Sequence, residues 1–230
     1  MITYFHFNFQ MMNEFIFFLQ IFVILGFALG ALKLGKEALI TWVSVLALTA
    51  NLFVLKQINL FGLNVTASDA FAIGSLLGLN LLQEYFGPKE AKLATQVCFF
   101  FMFLFAFVAK LHLLYTPNAF DVTKEAFSIL LEPSFRLFLA SLSVFFLVQQ
   151  FDIYFFNFLK QRFHSFSFAT RAGISLSLSQ LIDTVLFSFA GLYGVVASMT
   201  EVILLSFTIK MIVIAFNSLI LRGAKNALSI

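Results

Sequence analysis

The sequence predicts an all-α polytopic membrane protein, a bundle of about seven transmembrane helices. Of its 230 residues, 61% are hydrophobic and 11% are charged, whereas a soluble domain carries about 25% charged residues. Phenylalanine alone accounts for 35 residues, more than one compact soluble core could enclose. Too few polar side chains remain to cover a surface that faces water. The composition therefore favours a membrane protein over a soluble globule.

Seven apolar segments approach the roughly 20 residues that a helix needs to cross the hydrocarbon core. Short turns separate them, and the one sizeable connection, Thr116–Pro133, favours a short interfacial helix in its middle. No linker or change of composition divides the chain, so residues 1–230 are expected to form a single integral membrane domain. The seven predicted spans are Phe15–Leu34, Ala38–Leu55, Ser68–Phe86, Ala91–Tyr115, Ser134–Leu159, Arg171–Tyr193 and Ser198–Leu221.

The basic residues predict an orientation for these spans. The N-terminus lacks the basic region of a signal peptide, so the first apolar run is expected to be a retained helix. With the N-terminus outside and the C-terminus inside, the cytoplasmic side holds most of the basic residues, as the positive-inside rule requires. The cytoplasmic set is Lys33, Lys36, Lys89, Lys92, Lys160, Arg162, Arg171, Arg222 and Lys225; the opposite set is Lys56, Lys110, Lys124 and Arg136. A bacterial cytoplasmic (inner) membrane is the expected location.

Several kinds of site are disfavoured by the same sequence. The single cysteine, Cys98, allows no disulfide framework and no thiolate metal site. The net charge of +3 is small and dispersed, so no nucleic-acid partner is expected. His6, His112 and His164 lie near segment ends without metal-binding spacing. No metal and no cofactor are expected.

The third segment carries the densest group of polar side chains. Asn80, Gln83 and Glu84 are three or four residues apart, so one helical face presents all three. A helix with this content is expected inside the bundle, where polar groups find partners. The alternative for this group is interhelical hydrogen bonding that only holds the bundle together. Asp69, at the start of the segment, is interpreted as a helix cap, with Ser68 as the other candidate.

The sixth segment places Gln180 and Asp183 three residues apart near the middle of the membrane. A charged side chain at that depth is costly and requires a partner. Lys210, near the middle of the seventh segment, is the predicted partner of Asp183. This ion pair could be structural, functional or both.

The fifth segment presents Gln149 and Asp152 on one face, three residues apart. The alternative for Asp152 is a cap that faces interfacial water. The intramembrane groups together are amides, carboxylates and one lysine. A carboxylate accepts parallel N–H bonds from a guanine-like edge, and an amide meets a neighbouring carbonyl and N–H. The set therefore favours recognition of a planar, polar heterocycle.

Four stretches of the sequence resemble the queuosine-precursor transporters, a branch of the vitamin-uptake-like membrane proteins. They are GLNVTASDAFAIGSLLGLNLLQEYFGPKEAK at 62–92, QQFDIYFFNFLK at 149–160, RAGISLSLSQLIDTVLF at 171–187 and SFTIKMIVIAFNS at 206–218. The resemblance covers roughly residues 40–222. It implies a six-helix core similar to the substrate-binding subunits of energy-coupling-factor vitamin transporters, with residues 1–37 as an N-terminal addition that contains one further helix.

The resemblance also implies the substrates, which are 7-deazaguanine bases (preQ0, preQ1 or queuine) used in tRNA modification. Glu84 would then pair with the 2-amino and ring N–H edge, and Gln83 or Asn80 with the carbonyl. Asp183 would suit the cationic amine of preQ1 and queuine, with Lys210 as its partner. One departure from the family is Asn217, where many relatives have an aspartate.

Three alternatives to a transporter are weighed on the sequence. A substrate-binding subunit of an ATP-driven uptake system would need ATPase partners, because the chain has no phosphate-binding loop of its own. A membrane-embedded enzyme is disfavoured by the lack of a nucleophile–base pair or metal set. A purely structural protein is disfavoured by the buried charges. The sequence gives no oligomeric state.

Overall fold

The computed structural model describes residues 2–54, 56–131, 135–194 and 199–224. Among these, residues 2–11, 63–65, 135–138, 192, 201 and 220–224 are described by their backbone alone. The predicted segment boundaries Leu55, Ser134 and Ser198, and the cytoplasmic Lys225, lie outside the described residues.

Each of the seven predicted segments corresponds to a long helix. The short helix expected in the connection after residue 116 is also present, so this prediction is confirmed. The helices are α1 (Ile2–Leu34), α2 (Lys36–Phe53), α3 (Asp69–Tyr85), α4 (Pro88–His112), α5 (Lys124–Leu131), α6 (Phe135–Arg162), α7 (Phe168–Phe187) and α8 (Met199–Ala224).

Six of these helices, α1, α2, α4, α6, α7 and α8, are long and apolar enough to cross a membrane. The exception is α3, which has 17 residues and is buried over most of its length. It contacts α1, α2, α4, α6, α7 and α8. The predicted interior position of this polar segment is therefore confirmed, and the chain is a multi-pass membrane protein whose polar helix lies inside a ring of apolar ones.

Two glycines let α3 approach its neighbours closely. A Cβ atom added at Gly74 would lie 2.8 Å from side-chain atoms of both Ile24 and Leu46. A Cβ atom at Gly78 would lie 2.8 Å from Val43 Cγ2. Small residues at such positions bring helix backbones together in a bilayer. The contacts fix α3 against α1 and α2 on one side, and leave its polar face for the helices on the other side.

A two-stranded hairpin between α2 and α3 was not predicted from the sequence. Its strands are β1 (Gln57–Leu60) and β2 (Leu63–Thr66). The turn residues Phe61 and Gly62 have φ of 52° and 79°, the positive values that two-residue hairpin turns require. The hairpin therefore adds a small antiparallel sheet to a fold that is otherwise all-α.

Helix α1 binds this hairpin and begins earlier than predicted, at Ile2 instead of Phe15. The polar pair Asn13 and Glu14 does not interrupt the helix, because both side chains have partners in the hairpin. Asn13 Nδ2 donates to the carbonyl of Asn59 at 2.9 Å, and Glu14 Oε1 accepts from the backbone N–H of Phe61 at 2.9 Å. The hairpin is thereby fixed at the end of the bundle where α3 begins.

Helix α7 ends in a π-helical turn, Ser188–Leu192, instead of continuing as a regular helix to Tyr193. The turn packs against α6 and α8 as well as α7. Such insertions are frequent at functional sites. Here the turn follows Asp183 and Thr184 by about one helical turn, near the predicted ion pair.

Candidate substrate-binding site

Seven of the eight predicted site residues lie on α3, α6 and α7, three helices that contact one another inside the bundle, and Lys210 lies on α8. Among the most deeply buried of them, α3 contributes two amides, α6 an amide and a carboxylate, and α7 a fourth amide. The five side chains are almost completely buried: Asn80, Gln83, Gln149, Asp152 and Gln180. The structure therefore places these predicted residues in the interior of the protein and away from lipid.

Asp152 joins α6 to α7 through one of its two carboxylate oxygens. Oδ1 accepts hydrogen bonds from the hydroxyls of Ser175 and Ser179, each at 2.7 Å. Oδ2 is buried and has no hydrogen-bond partner among the described residues. The alternative that Asp152 caps toward interfacial water is wrong, because α6 continues to Arg162 and the carboxylate is fully buried. One oxygen is held in place, and the other keeps its capacity to accept a hydrogen bond.

The buried amides share this property. Both polar atoms of Asn80, Gln83 and Gln149, and Oε1 of Gln180, have no hydrogen-bond partner among the described residues. Gln149 faces the thiol of Cys98, which is only a weak partner. A buried polar group left unpaired costs about 1–3 kcal/mol. Such a concentration of unpaired donors and acceptors on adjoining helices is expected where a polar ligand binds.

The helix directions place Asn80 and Asp152 at a common depth. α3 and α7 are antiparallel, and Glu84 near the end of α3 contacts Arg171 near the start of α7. Asn80 lies one turn before Glu84 on α3, and Ser175 lies one turn after Arg171 on α7, so both are about 6 Å from this contact along the helix axes. Ser175 binds Asp152. The amide of α3 and the carboxylate of α6 therefore belong to one polar layer of the bundle.

Glu84 differs from the other two members of the predicted α3 group. Its Oε1 accepts from Arg171 at 2.6 Å, and its Oε2 lies 3.4 Å from the ammonium of Lys160. Lys160 also donates to the main-chain carbonyls of Gln83 and Glu84, two of the carbonyls that a helix end leaves free. The Glu84 side chain is 20% exposed and that of Arg171 is 8% exposed. Glu84 thus anchors the end of α3 to α6 and α7.

The predicted pair between Asp183 and Lys210 is confirmed. Lys210 Nζ lies 2.6 Å from Asp183 Oδ2 and 3.1 Å from Thr184 Oγ1. This pair links α7 to α8. Whether Asp183 contacts a substrate amine stays a prediction.

Asp69 does not cap α3 as predicted. Ser68 occupies the N-cap position but its hydroxyl makes no capping bond; it lies 2.9 Å from Thr66 Oγ1 instead. Asp69 is the first helical residue and is only 7% exposed. The charges acting on it are those of Lys210 and Asp183. Asp69 is therefore buried in the bundle, near the ion pair of Asp183 and Lys210, and does not form the expected capping hydrogen bond.

Sequence reasoning missed the partners of Glu84. In the sequence, Arg171 and Lys160 indicate only the orientation of the chain in the membrane, although both adjoin polar segments. Their contacts depend on the relative registers of α3, α6 and α7, which no spacing within one segment reveals. Asn217 on α8 is buried, and its Oδ1 has no partner among the described residues.

Comparison with known proteins agrees with a transport role. A family model described as "Putative vitamin uptake transporter" matches residues 66–222. A protein of Bacillus subtilis (strain 168) named "Probable queuosine precursor transporter" is 30% identical over 162 residues, which cover 70% of this chain and 71% of that protein. No solved structure matches the chain.

The ion pair between Asp183 and Lys210 makes a stability prediction. Lys210→Met and Asp183→Asn should each lower stability by about 3–5 kcal/mol, because each removes the partner of a charge that is wholly or mostly shielded from solvent. The double variant should recover much of this loss. Thermal unfolding of the purified variants in one detergent measures the effect. Losses that add in the double variant would show that the two side chains do not stabilise each other.

Proposed function

Because this chain belongs to the vitamin uptake transporter family, we propose that it imports queuosine precursors across the bacterial cytoplasmic membrane for tRNA modification. The substrates are 7-deazaguanine bases: preQ0, preQ1 or queuine. The name of the Bacillus subtilis relative supports this substrate class. The observation that carries the proposal is the layer of buried, unpaired amides beside Asp152.

The chemistry of this layer suits a guanine-like base. Such a base presents a carbonyl acceptor beside ring and exocyclic N–H donors. Asp152 Oδ2 is an acceptor with a free lone pair, and the amides of Asn80 and Gln83 each offer both a donor and an acceptor. A base that formed hydrogen bonds with these groups would remove the free-energy cost of leaving them unpaired. An apolar molecule of the same shape would leave that cost in place and be rejected.

Glu84 has a proposed role in substrate binding in addition to its ion pairs. Its carboxylate is paired with Arg171 and Lys160, so a bond from Glu84 to a base requires one of these partners to be released. Glu84 is also one turn from Asn80 along α3. We assign it to the cytoplasmic end of the substrate path, where a base leaving the amide layer would meet it.

Asp183 lies on the other side of this layer. It is four residues, about 6 Å, beyond Ser179 along α7, and Gln180 lies between the two levels. The ring N–H edge and the side-chain amine of preQ1 are at opposite ends of the molecule. A base read by Asp152 can therefore direct its amine toward Asp183, with Lys210 as the competing cation.

An import assay tests the proposed function. The chain is expressed in a bacterium that lacks both precursor synthesis and its own importer but retains the later enzymes, and each base is supplied separately. We expect queuosine to appear in tRNA only when both the chain and a base are present. Cells with the empty vector are the control. Absence of queuosine with every base, although the protein accumulates in the membrane, would contradict the proposal.

The proposed orientation is N-out and C-in. Its support is the cytoplasmic excess of basic residues, and the contacts of Lys36 with Glu90 and of Lys160 with Glu84 keep part of that set at one end of the bundle. Reporter fusions after residue 90 should be active in the cytoplasm, and fusions near Asn118 should be active outside. A cytoplasmic signal from the fusion near Asn118 would overturn the orientation.

A further inference from the structure

Asp69 is a buried carboxylate that the proposed recognition of a base does not use. It begins α3 directly after the hairpin, and it is only 7% exposed. No hydrogen bond to its carboxylate is found among the described residues, and the charges acting on it are those of Lys210 and Asp183. Its helix α3 contacts α7 and α8, the helices of Asp183 and Lys210, and β2 packs against α8.

The cluster of Asp69, Asp183 and Lys210 has an uneven charge. Lys210 forms a direct bond at 2.6 Å with Asp183 and a second bond with Thr184, and Asp69 is the remaining acid beside it. Two carboxylates and one ammonium carry a net charge of −1 when all are ionised. Isolated charge inside a membrane protein is costly. One bound cation would neutralise the cluster.

No other charged group among the described residues neutralises the net charge of this cluster. On α1, Glu14 is bound to the hairpin backbone. On α6, Asp152 is bound by Ser175 and Ser179, which lie one to two turns before Asp183 on α7. The lysine nearest to Asp69 in sequence, Lys56, is exposed. Lys36 and Glu90 of α2 and α4 pair with each other at the opposite end of the bundle.

We propose that Asp69, Asp183 and Lys210 form a proton-coupling site that links base import to a proton gradient. A proton from outside binds one carboxylate, the ammonium of Lys210 pairs with the other, and the cluster becomes neutral. When the proton leaves toward the cytoplasm, Lys210 stays bonded to Asp183 and the cluster regains its net negative charge. No covalent bond changes other than the O–H bond of the carried proton. The proposal rests on the proposed import function.

A substrate-free measurement tests the charge of the cluster. At pH 8, Asp69→Asn should raise the thermal midpoint by about 2–4 °C, because it removes the excess negative charge. At pH 5 the difference should shrink, since a proton already neutralises the wild-type cluster. Asp121→Asn, an exposed aspartate in the loop before α5, is the matched control and should show neither effect. A loss of stability in Asp69→Asn as large as that in Asp183→Asn would overturn the proposal, because Asp69 would then be a structural partner of Lys210.

Transport in liposomes that contain only this chain tests the coupling. The probe is preQ0, which has a nitrile in place of the amine and therefore does not report on amine binding. The wild type should accumulate preQ0 several-fold when the interior is alkaline. Asp69→Asn should lose this accumulation yet keep the exchange of labelled for unlabelled preQ0. The matched control, Asp121→Asn, should keep both.

The outcomes separate the two proposals. Exchange without any response to the pH gradient in the wild type would overturn coupling and leave import intact. Accumulation by Asp69→Asn equal to the wild type would also overturn it. Accumulation that needs sodium, in place of choline, would overturn the assignment of the cation as a proton. If no base is exchanged, the import proposal fails, and the thermal midpoints decide whether the cluster binds a proton.

Discussion

Polar groups inside a bilayer have to find partners within the protein, because the hydrocarbon core offers none. This chain concentrates its intramembrane polar groups on α3 and on the helix faces that surround it. The other long helices are apolar enough to meet lipid. The close approach at Gly74 and Gly78 fixes α3 against α1 and α2. The opposite, polar face of α3 then needs hydrogen-bond and charge partners, and the positions of the remaining helices supply the charge partners.

Two ion clusters at different depths hold that face in position. Glu84 with Arg171 and Lys160 joins one end of α3 to α7 and α6. Asp183 with Lys210 joins α7 to α8 at the level where α3 begins, next to Asp69. The unpaired amides and Asp152 lie between these clusters. The ion-paired groups thus stabilise the bundle, and the unpaired groups lie on α3, α6 and α7, three helices that contact one another.

The sequence predicted those features that depend on a single segment or on charge alone. The lengths of the apolar runs predicted the seven long helices, and two opposite charges at mid-membrane predicted the pair of Asp183 and Lys210. The hairpin was missed because its strands are only four residues each and its turn is Phe-Gly instead of a common turn pair. The error at Asp69 came from applying a local capping rule to a residue that is buried against other helices. The partners of Glu84 were missed because they depend on registers between helices.

The interior amides are proposed to be unpaired because a base completes their hydrogen bonds, and the variant Gln83→Met tests this role most directly. Methionine keeps the shape but removes both polar atoms. We expect thermal stability equal to or above that of the wild type, since an unpaired group disappears, and at least about tenfold weaker binding of preQ0, the result of losing about 1.5 kcal/mol. Gln96→Met, at an exposed position of α4, should leave binding unchanged. Lower stability of Gln83→Met with unchanged preQ0 binding would contradict the account and show that the amide only holds the helices together.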